Sequence, residues 1–393
     1  MRYDFTTLPD RSGTNAEKFY NMRQKDPGVP GDIVPFSVAD MDFLPPPELI
    51  DGLQKYIGST IFGYTLPSDS YYEAVLDWMK RRHGLDIPRS WLLDADNVIA
   101  ALRQMIEAYS DPGDGIIVMT PAYPAFLSSV EATHRQLVAC PLRLGDTGYT
   151  IDFDLLEQQC GQEKNKLLVF CNPHNPVGRA WTRAELEQVA EICLRKGVFV
   201  ISDEIHWDLI LPGNTFTSMA ALAPEYQQNC AVSTACTKSF NMAALKGAVV
   251  IMADPDRRKA FCARNGVSGR DIISYAMCEI AYRTSEAWLD ELLTVLDGNR
   301  KLMEEFFRQR LPQVGVIPLE ATYLQWLDFR FLGLDAQELE HFMAFEARCF
   351  FTEGYKFGPG GAGFERWNIA CPRQVLLAGL ERMEQAVRRR MHG

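Results

Sequence analysis

The sequence predicts an α/β protein with a mostly parallel sheet, helices on both of its faces and a smaller α+β domain attached. Three observations predict it. Between about residues 70 and 285, short apolar runs alternate with segments of helical period, as in a chain wound β-α-β through one sheet. Runs such as 198–202 are continuously apolar, as strands covered on both faces must be. From about residue 286 the pattern changes to long helical segments around two strand-like runs.

In chain order, helical periodicity covers 71–82 and 98–109, and strands are expected at 116–119 and 166–170. A helix follows at 182–196, where Thr182 stands three residues before Glu185 and ahead of apolar Leu186, Val189, Ala190 and Cys193. That spacing is a capping box opening an amphipathic helix. The strand at 198–202 runs into Asp203-Glu204-Ile205-His206. Ligands of open α/β sheets bind at the carboxyl ends of the strands, so an acid emerging there marks a candidate site. Strands at 231–234 and 248–252 complete this part. Helices are then expected at 288–311, 336–349 and 375–391, around strands at 323–329 and 366–370. The expected division is a large domain over 46–285 and a smaller one from 1–45 together with 286–393.

Composition narrows the function. The chain has 393 residues, 47% of them hydrophobic and 23% charged, the balance of a globular enzyme. With 40 Lys and Arg against 51 Asp and Glu, the formal charge of −11 repels nucleic acid and anionic membrane surfaces. The ten cysteines contain no CxxC pair and lie mostly in apolar runs, which suits buried thiols in a reducing cytoplasm. No apolar run approaches the roughly 18 residues of a membrane span, and the N-terminus has no apolar signal core. A cytoplasmic location is expected. The six histidines show no metal-binding spacing, and His83 and His392 are expected to be solvated. The literal GxGxxG at 358–363 precedes a strand and not a helix, so it lacks the context of a dinucleotide site. Arg388-Arg389-Arg390 is expected to be a basic helix end complementing the dipole.

Two segments carry chemistry. Asn172-Pro173-His174-Asn175-Pro176-Val177-Gly178 follows an apolar strand and precedes the capped helix; its X-Pro units and its glycine favour a turn-rich loop. Thr234-Ala235-Cys236-Thr237-Lys238-Ser239-Phe240-Asn241 follows another strand and sets one lysine among small and hydroxyl residues. A partly desolvated lysine there has its pKa lowered and can attack an aldehyde. Each segment alone has an ordinary reading, as a connection or as a polar loop.

Joined in this order and spacing, they resemble the fold-type-I pyridoxal phosphate enzymes of the aspartate aminotransferase superfamily. The likeness is closest to the carbon-sulfur β-lyase branch, the cystathionine β-lyase and cysteine desulfhydrase group that also contains the maltose-regulon modulator. It extends over residues 38–43, 61–65, 120–124, 171–179, 201–206, 237–241 and 368–372. It implies a large domain with a mostly parallel seven-stranded sheet, pyridoxal 5'-phosphate as cofactor, an amino acid as substrate and a homodimer with shared sites.

The resemblance also implies residue roles. Lys238 would bind the cofactor aldehyde and act as general base at Cα, Asp203 would pair with the pyridinium nitrogen, and Asn175 would donate to the phenolic oxygen, with His206 nearby. Tyr123 would stack on the ring. Thr237, Lys246 and the helix N-terminus at Val98 and Ile99 would hold the phosphate, and Tyr64 would reach it from the other subunit. Arg366 would clamp the substrate carboxylate, with Asp40 and Asn175 also on the substrate side; Tyr64 and Tyr123 are counted with Lys238 as catalytic. The chain departs from the pattern at Asn97-Val98-Ile99-Ala100, where relatives show a Gly-Val-Val-Pro-like turn, and Asn97 is expected to tolerate a left-handed backbone there. Alanines at 235, 244 and 321 also depart from it.

The implied activity is β-elimination from a cysteine thioether or conjugate, giving a thiol, pyruvate and ammonia. The alternative keeps the cofactor and transfers the amine, as an aminotransferase does, or performs another elimination or cyclisation. A regulatory interaction protein on the same fold is less favoured, because Lys238 and Asp203 are both present.

Overall fold

The computed structural model describes residues 1–11, 13–265 and 271–392. In chain order its strands begin with β1 (Leu92–Ala95), β2 (Gly115–Thr120) and β3 (Gln136–Pro141). After a small hairpin of β4 (Arg143–Gly145) and β5 (Gly148–Thr150) come β6 (Asn165–Cys171), β7 (Phe199–Asp203), β8 (Cys230–Thr234) and β9 (Ala248–Met252). Seven of these form one sheet in the order β1-β9-β8-β7-β6-β2-β3. From β3 to β8 every neighbouring pair is parallel. Only β9 is reversed, lying antiparallel to both β8 and β1.

The expected strands stand within a residue or two of their places. Edge strands β1 and β3 were not among them, because their mixed runs carry little period-2 signal; β3 is largely exposed and ends at Pro141. Alternation along the central strands feeds two cores. On β6, Leu168 and Phe170 face one, and Leu167, Val169 and Cys171 face the other. The helix Val98–Tyr109 covers the second face, while Asp69–His83 and Arg183–Lys196 bury Trp78, Leu186 and Val189 in the first. The capping box is present in full, with Thr182 and Glu185 each bonded to the other's backbone amide.

A second, antiparallel sheet takes β10 (Gly315–Val316), β11 (Leu324–Asp328), β12 (Thr352–Glu353) and β13 (Phe364–Asn368) in the order β10-β11-β13-β12. Helices Glu286–Arg310 and Arg373–His392 accompany it. The helix expected over 336–349 is shorter: it spans Ala336–His341 and widens into a π turn, where the Ala347 N–H donates to the Phe342 carbonyl at 2.9 Å. The N-terminal segment returns to this sheet, with Phe36 bonded through its backbone to Phe350 and Asn368.

Other expectations meet the structure unevenly. His83 is not solvated: its ring stacks on Trp207 at 4.2 Å, and its Nε2 lies 2.8 Å from Asp208 Oδ1. The side chain of His392 lies outside the described residues. Asn97 is extended (φ −164°) and not left-handed, and its side chain caps the helix by accepting from the Ala100 amide at 2.8 Å. The positive-φ asparagine is Asn241. All ten cysteines are free, and nine of them are buried. Arg388 and Arg390 are paired with Glu384 and Glu346. The run at 358–363 leads into β13, so a strand does follow it.

Candidate active site

The carboxyl ends of β6, β7 and β8 open on one rim, and each feeds a loop that carries a predicted residue. After β6 the chain turns through Asn175 to Gly178, whose φ of 76° favours glycine and where a Cβ would lie 2.6 Å from Leu319 Cδ1. After β7 come Ile205 and His206, and after β8 come Thr237 and Lys238. Together with Val98, Ile99, Tyr123, Asp203 and Lys246 they line a cavity of about 300 Å³. A wider cavity of about 810 Å³ adjoins it, sharing Ala39, Tyr123 and Lys238, and reaches Asp40 and Arg366.

Burial and neighbouring charges perturb several of these side chains. Burial, with Arg366 assisting, lowers the Lys238 amine to about 8, and its Nζ donates to the Ala39 carbonyl at 2.6 Å. Burial pushes Asp203 up to about 7; its carboxylate accepts from the Ile205 amide at 3.0 Å. Lys238 draws it down only in part, and a protonated ring nitrogen would match its charge. Burial, then Lys238 and Arg366, lower His206 to about 3, so its ring is neutral, and Nδ1 has no partner.

Arg366 on β13 is buried and lowered to about 10 by desolvation. It donates to Asn175 Oδ1 at 3.0 Å and Thr352 Oγ1 at 3.1 Å, while its Nε has no partner among the described residues. Because a guanidinium only donates, Asn175 must turn its oxygen to Arg366, which leaves its NH₂ to donate elsewhere. At the helix Val98–Tyr109, Asn97 occupies the Ala100 and Ala101 amides through its side chain and carbonyl, leaving those of Val98 and Ile99 at the cavity. With Thr237 and Lys246 beside them, these are donors suited to a phosphate. The residues present therefore fit pyridoxal phosphate.

Two predicted residues stand apart. Tyr64 is fully exposed and touches neither cavity of its own chain. The Asp40 carboxylate is engaged by Arg11 at 2.6 Å and by the buried Lys18 at 2.9 Å, which hold it below the usual carboxylate range although burial pushes it up. What its segment presents to Lys238 is the neighbouring Ala39 carbonyl. That segment is gripped twice: Asn368 Nδ2 donates to the carbonyls of Val38 (2.9 Å) and Asp40 (2.6 Å), and Asn241 bonds Met41 and Phe43.

Sequence reasoning missed Ala39 as an acceptor, Thr352 as a partner of Arg366, and Tyr323, whose hydroxyl donates to the Ala39 carbonyl at 2.9 Å. A backbone carbonyl has no residue signature. Tyr323, at the start of a predicted strand beside a rim, was the available signal. Among the described residues no His, Cys, Asp and Glu cluster could hold a metal, and no helix is long and apolar enough to cross a membrane.

Comparison with known proteins agrees with this geometry. Residues 31–382 match the family model for aminotransferase class I and II. The chain is 37% identical over 387 residues, 98% of it and 100% of the relative, to Cystathionine beta-lyase PatB of Bacillus subtilis (strain 168). The crystal structure of cystalysin from Treponema denticola, which contains a pyridoxal 5'-phosphate cofactor, is similar with a TM-score of 0.96 and 40% identity, covering 99% of this chain and 100% of that one. That of the PLP-bound C-S lyase from Staphylococcus hominis has a TM-score of 0.92 and 29% identity, covering 98% of each. By its sequence from residue 31 to 382, its sheet and its rim of polar groups, the chain belongs to the aminotransferase class I and II family.

Proposed function

We propose that this protein is a pyridoxal phosphate-dependent carbon-sulfur β-lyase that cleaves a cysteine thioether or cysteine conjugate to a thiol, pyruvate and ammonia. The observation that carries it is the near full-length likeness to a cystathionine beta-lyase and a C-S lyase, joined to two adjoining cavities that share Lys238, one lined by Asp203 and the other by Arg366. When bound, the cofactor supplies an aldehyde for the amine and a protonated ring that takes up the electron pair left at Cα.

The chain's own residues do the rest. Arg366 binds the substrate carboxylate with the N–H left unpaired beside Asn175, fixing which bond at Cα faces Lys238. Lys238, lowered to about 8, is poised to accept the Cα proton near neutral pH. Asp203 would pair with the ring nitrogen, Asn175 would donate to the phenolic oxygen with His206 nearby, and Tyr123 would stack on the ring. Val98, Ile99, Thr237 and Lys246 would hold the phosphate. Asp40 acts on the substrate side by fixing the turn that presents Ala39.

The proposed unit is a cytoplasmic homodimer, with 46–285 as cofactor domain and 1–45 plus 286–393 as the smaller one. Supporting the dimer, Ile57, Ile61, Phe62, Tyr64 and Leu66 form an exposed apolar run. Tyr64 would reach the partner subunit's phosphate from it. The testing experiment incubates the purified holoenzyme with L-cystathionine and S-alkyl cysteines. Pyruvate and free thiol in equal amounts are the expected products. A 2-oxo acid retaining its sulfur, with pyridoxamine phosphate accumulating, would make it an aminotransferase instead.

A further inference from the structure

Beneath the lysine loop lies a buried polar cluster that the reaction does not use. Asp208, two residues beyond His206, is 2% exposed. One of its oxygens accepts from Trp78 Nε1 at 3.0 Å and His83 Nε2 at 2.8 Å. The other accepts from the Ser239 hydroxyl, next in sequence to Lys238. No lysine or arginine among the described residues pairs with this carboxylate. The imidazole is held flat by Trp207 and edge-on by Phe216, with centroids at 4.2 and 5.6 Å. Since a carboxylate only accepts, its proton sits on Nε2.

Serine, aspartate and histidine together suggest a nucleophile, but the order excludes it. Ser239 is bonded to the acid and not to the imidazole, so no histidine stands beside its hydroxyl to take the proton. What the cluster does is mechanical. Ser239 pins the lysine loop to the segment carrying His206, and Trp78 packs edge-on against Phe240 at 5.8 Å, so helix Asp69–His83 supports the loop directly at Phe240 and through Asp208 at Ser239. From above, Asn241 ties the same loop to residues 41 and 43.

We propose that His83, Asp208 and Ser239 are positioning residues that hold the loop from Thr237 to Asn241 so that Lys238 and Thr237 stay directed into the cofactor cavity. This rests on Lys238 being the reactive amine. A fully buried carboxylate is held in place only while all its donors are present, so loss of either end releases the loop.

The experiment uses the holoenzyme and its Ser239→Ala, His83→Phe and His83→Gln variants, the last retaining an amide N–H toward Asp208. Borohydride fixation followed by peptide mapping reports whether the cofactor is on Lys238. Visible circular dichroism reports its orientation, titration of the cofactor-free protein its affinity, and L-cystathionine turnover gives kcat and KM. Ser239→Ala and His83→Phe are expected to keep fixation at Lys238 while kcat falls about tenfold, KM stays within twofold, and the visible dichroism falls by half or more. His83→Gln is expected to recover kcat to within threefold of wild type. Wild-type kcat and dichroism in both Ser239→Ala and His83→Phe would overturn the proposal and leave the lyase reading intact. So would His83→Gln behaving like His83→Phe while far-ultraviolet spectra show all three folded. Fixation of wild type at another lysine overturns the assignment of Lys238 and the proposal with it.

Discussion

Arg366 is the side chain whose chemistry is most constrained, because it is buried, short of one partner and beside the amine it helps to lower. Arg366→Ala is expected to reduce kcat/KM for a cysteine thioether by about 2 to 5 kcal/mol in transition-state terms, the range for truncating a desolvated charge contact. Steady-state kinetics showing less than a threefold loss would remove it from the carboxylate site. Lys238→Ala should lose borohydride-fixed cofactor at that peptide, and turnover should fall by about 10² to 10⁴ as for other general bases. Glu204 offers a test by pH. It is buried, accepts from Ser202 and the Met219 amide, and is pushed up to about 7 by burial. Its folded pKa exceeds the unfolded value, so its stabilising contribution is full below about 4.5 and is lost as pH rises through 7. Glu204→Gln does not titrate there, and relative to wild type it should be more stable at pH 8 than at pH 5 by roughly 2 to 3 kcal/mol in urea unfolding. The same difference at both pH values would place the carboxyl's pKa elsewhere. Lys238, Asp203 and Asn175 were legible in the sequence because Asp203 ends an apolar strand, the other two stand four residues beyond one, and the order of the three segments resembles a known family. Asp208 was not, since a lone acid beyond a strand has no pattern until Trp78, His83 and Ser239 are seen around it.

At the scale of elements, helix starts separate stability from binding. Thr182 and Asn97 both cap helices with a side-chain oxygen, but only the helix at Asn97 opens on the cavity. Replacing either by alanine should cost about 1 kcal/mol of stability. Titration of the cofactor-free proteins should show weaker cofactor binding for Asn97→Ala alone, and equal affinities would remove the helix Val98–Tyr109 from the phosphate site. Central strands and capped helices were readable because local period and tertiary burial agree in them. The edge strand β3 and the π turn at Phe342–Glu346 were not, for opposite reasons. In β3 exposure blurs the alternation, whereas over 342–346 an intact helical period hides a changed hydrogen-bond register.

Assembly is the question at the scale of the whole molecule. A negatively charged chain that still exposes Ile61, Phe62, Tyr64 and Leu66 in one stretch has a surface better suited to another protein than to water. Phe62→Asp should shift sedimentation from dimer to monomer and remove most activity together. Tyr64→Phe should leave the dimer intact and weaken only cofactor retention. A fully active monomer at assay concentration would show that each chain carries a complete site. The change of pattern near residue 286 falls where the helix Glu286–Arg310 begins, ahead of the second sheet. The return of the N-terminal segment was legible only in outline, because its attachment depends on the backbone carbonyls that Asn368 and Asn241 select.

Asn368 also joins two parts of the machinery. It lies two residues from Arg366, so both point from the same face of β13, one into the wider cavity where the proposed substrate carboxylate would lie and the other gripping the turn on either side of Ala39. Any displacement of that strand moves the carboxylate clamp and the Ala39 carbonyl as one lever. The proposed grip on the substrate's anionic end and the pull on the lysine are thereby geared together, and neither can be adjusted by motion of the smaller sheet without the other.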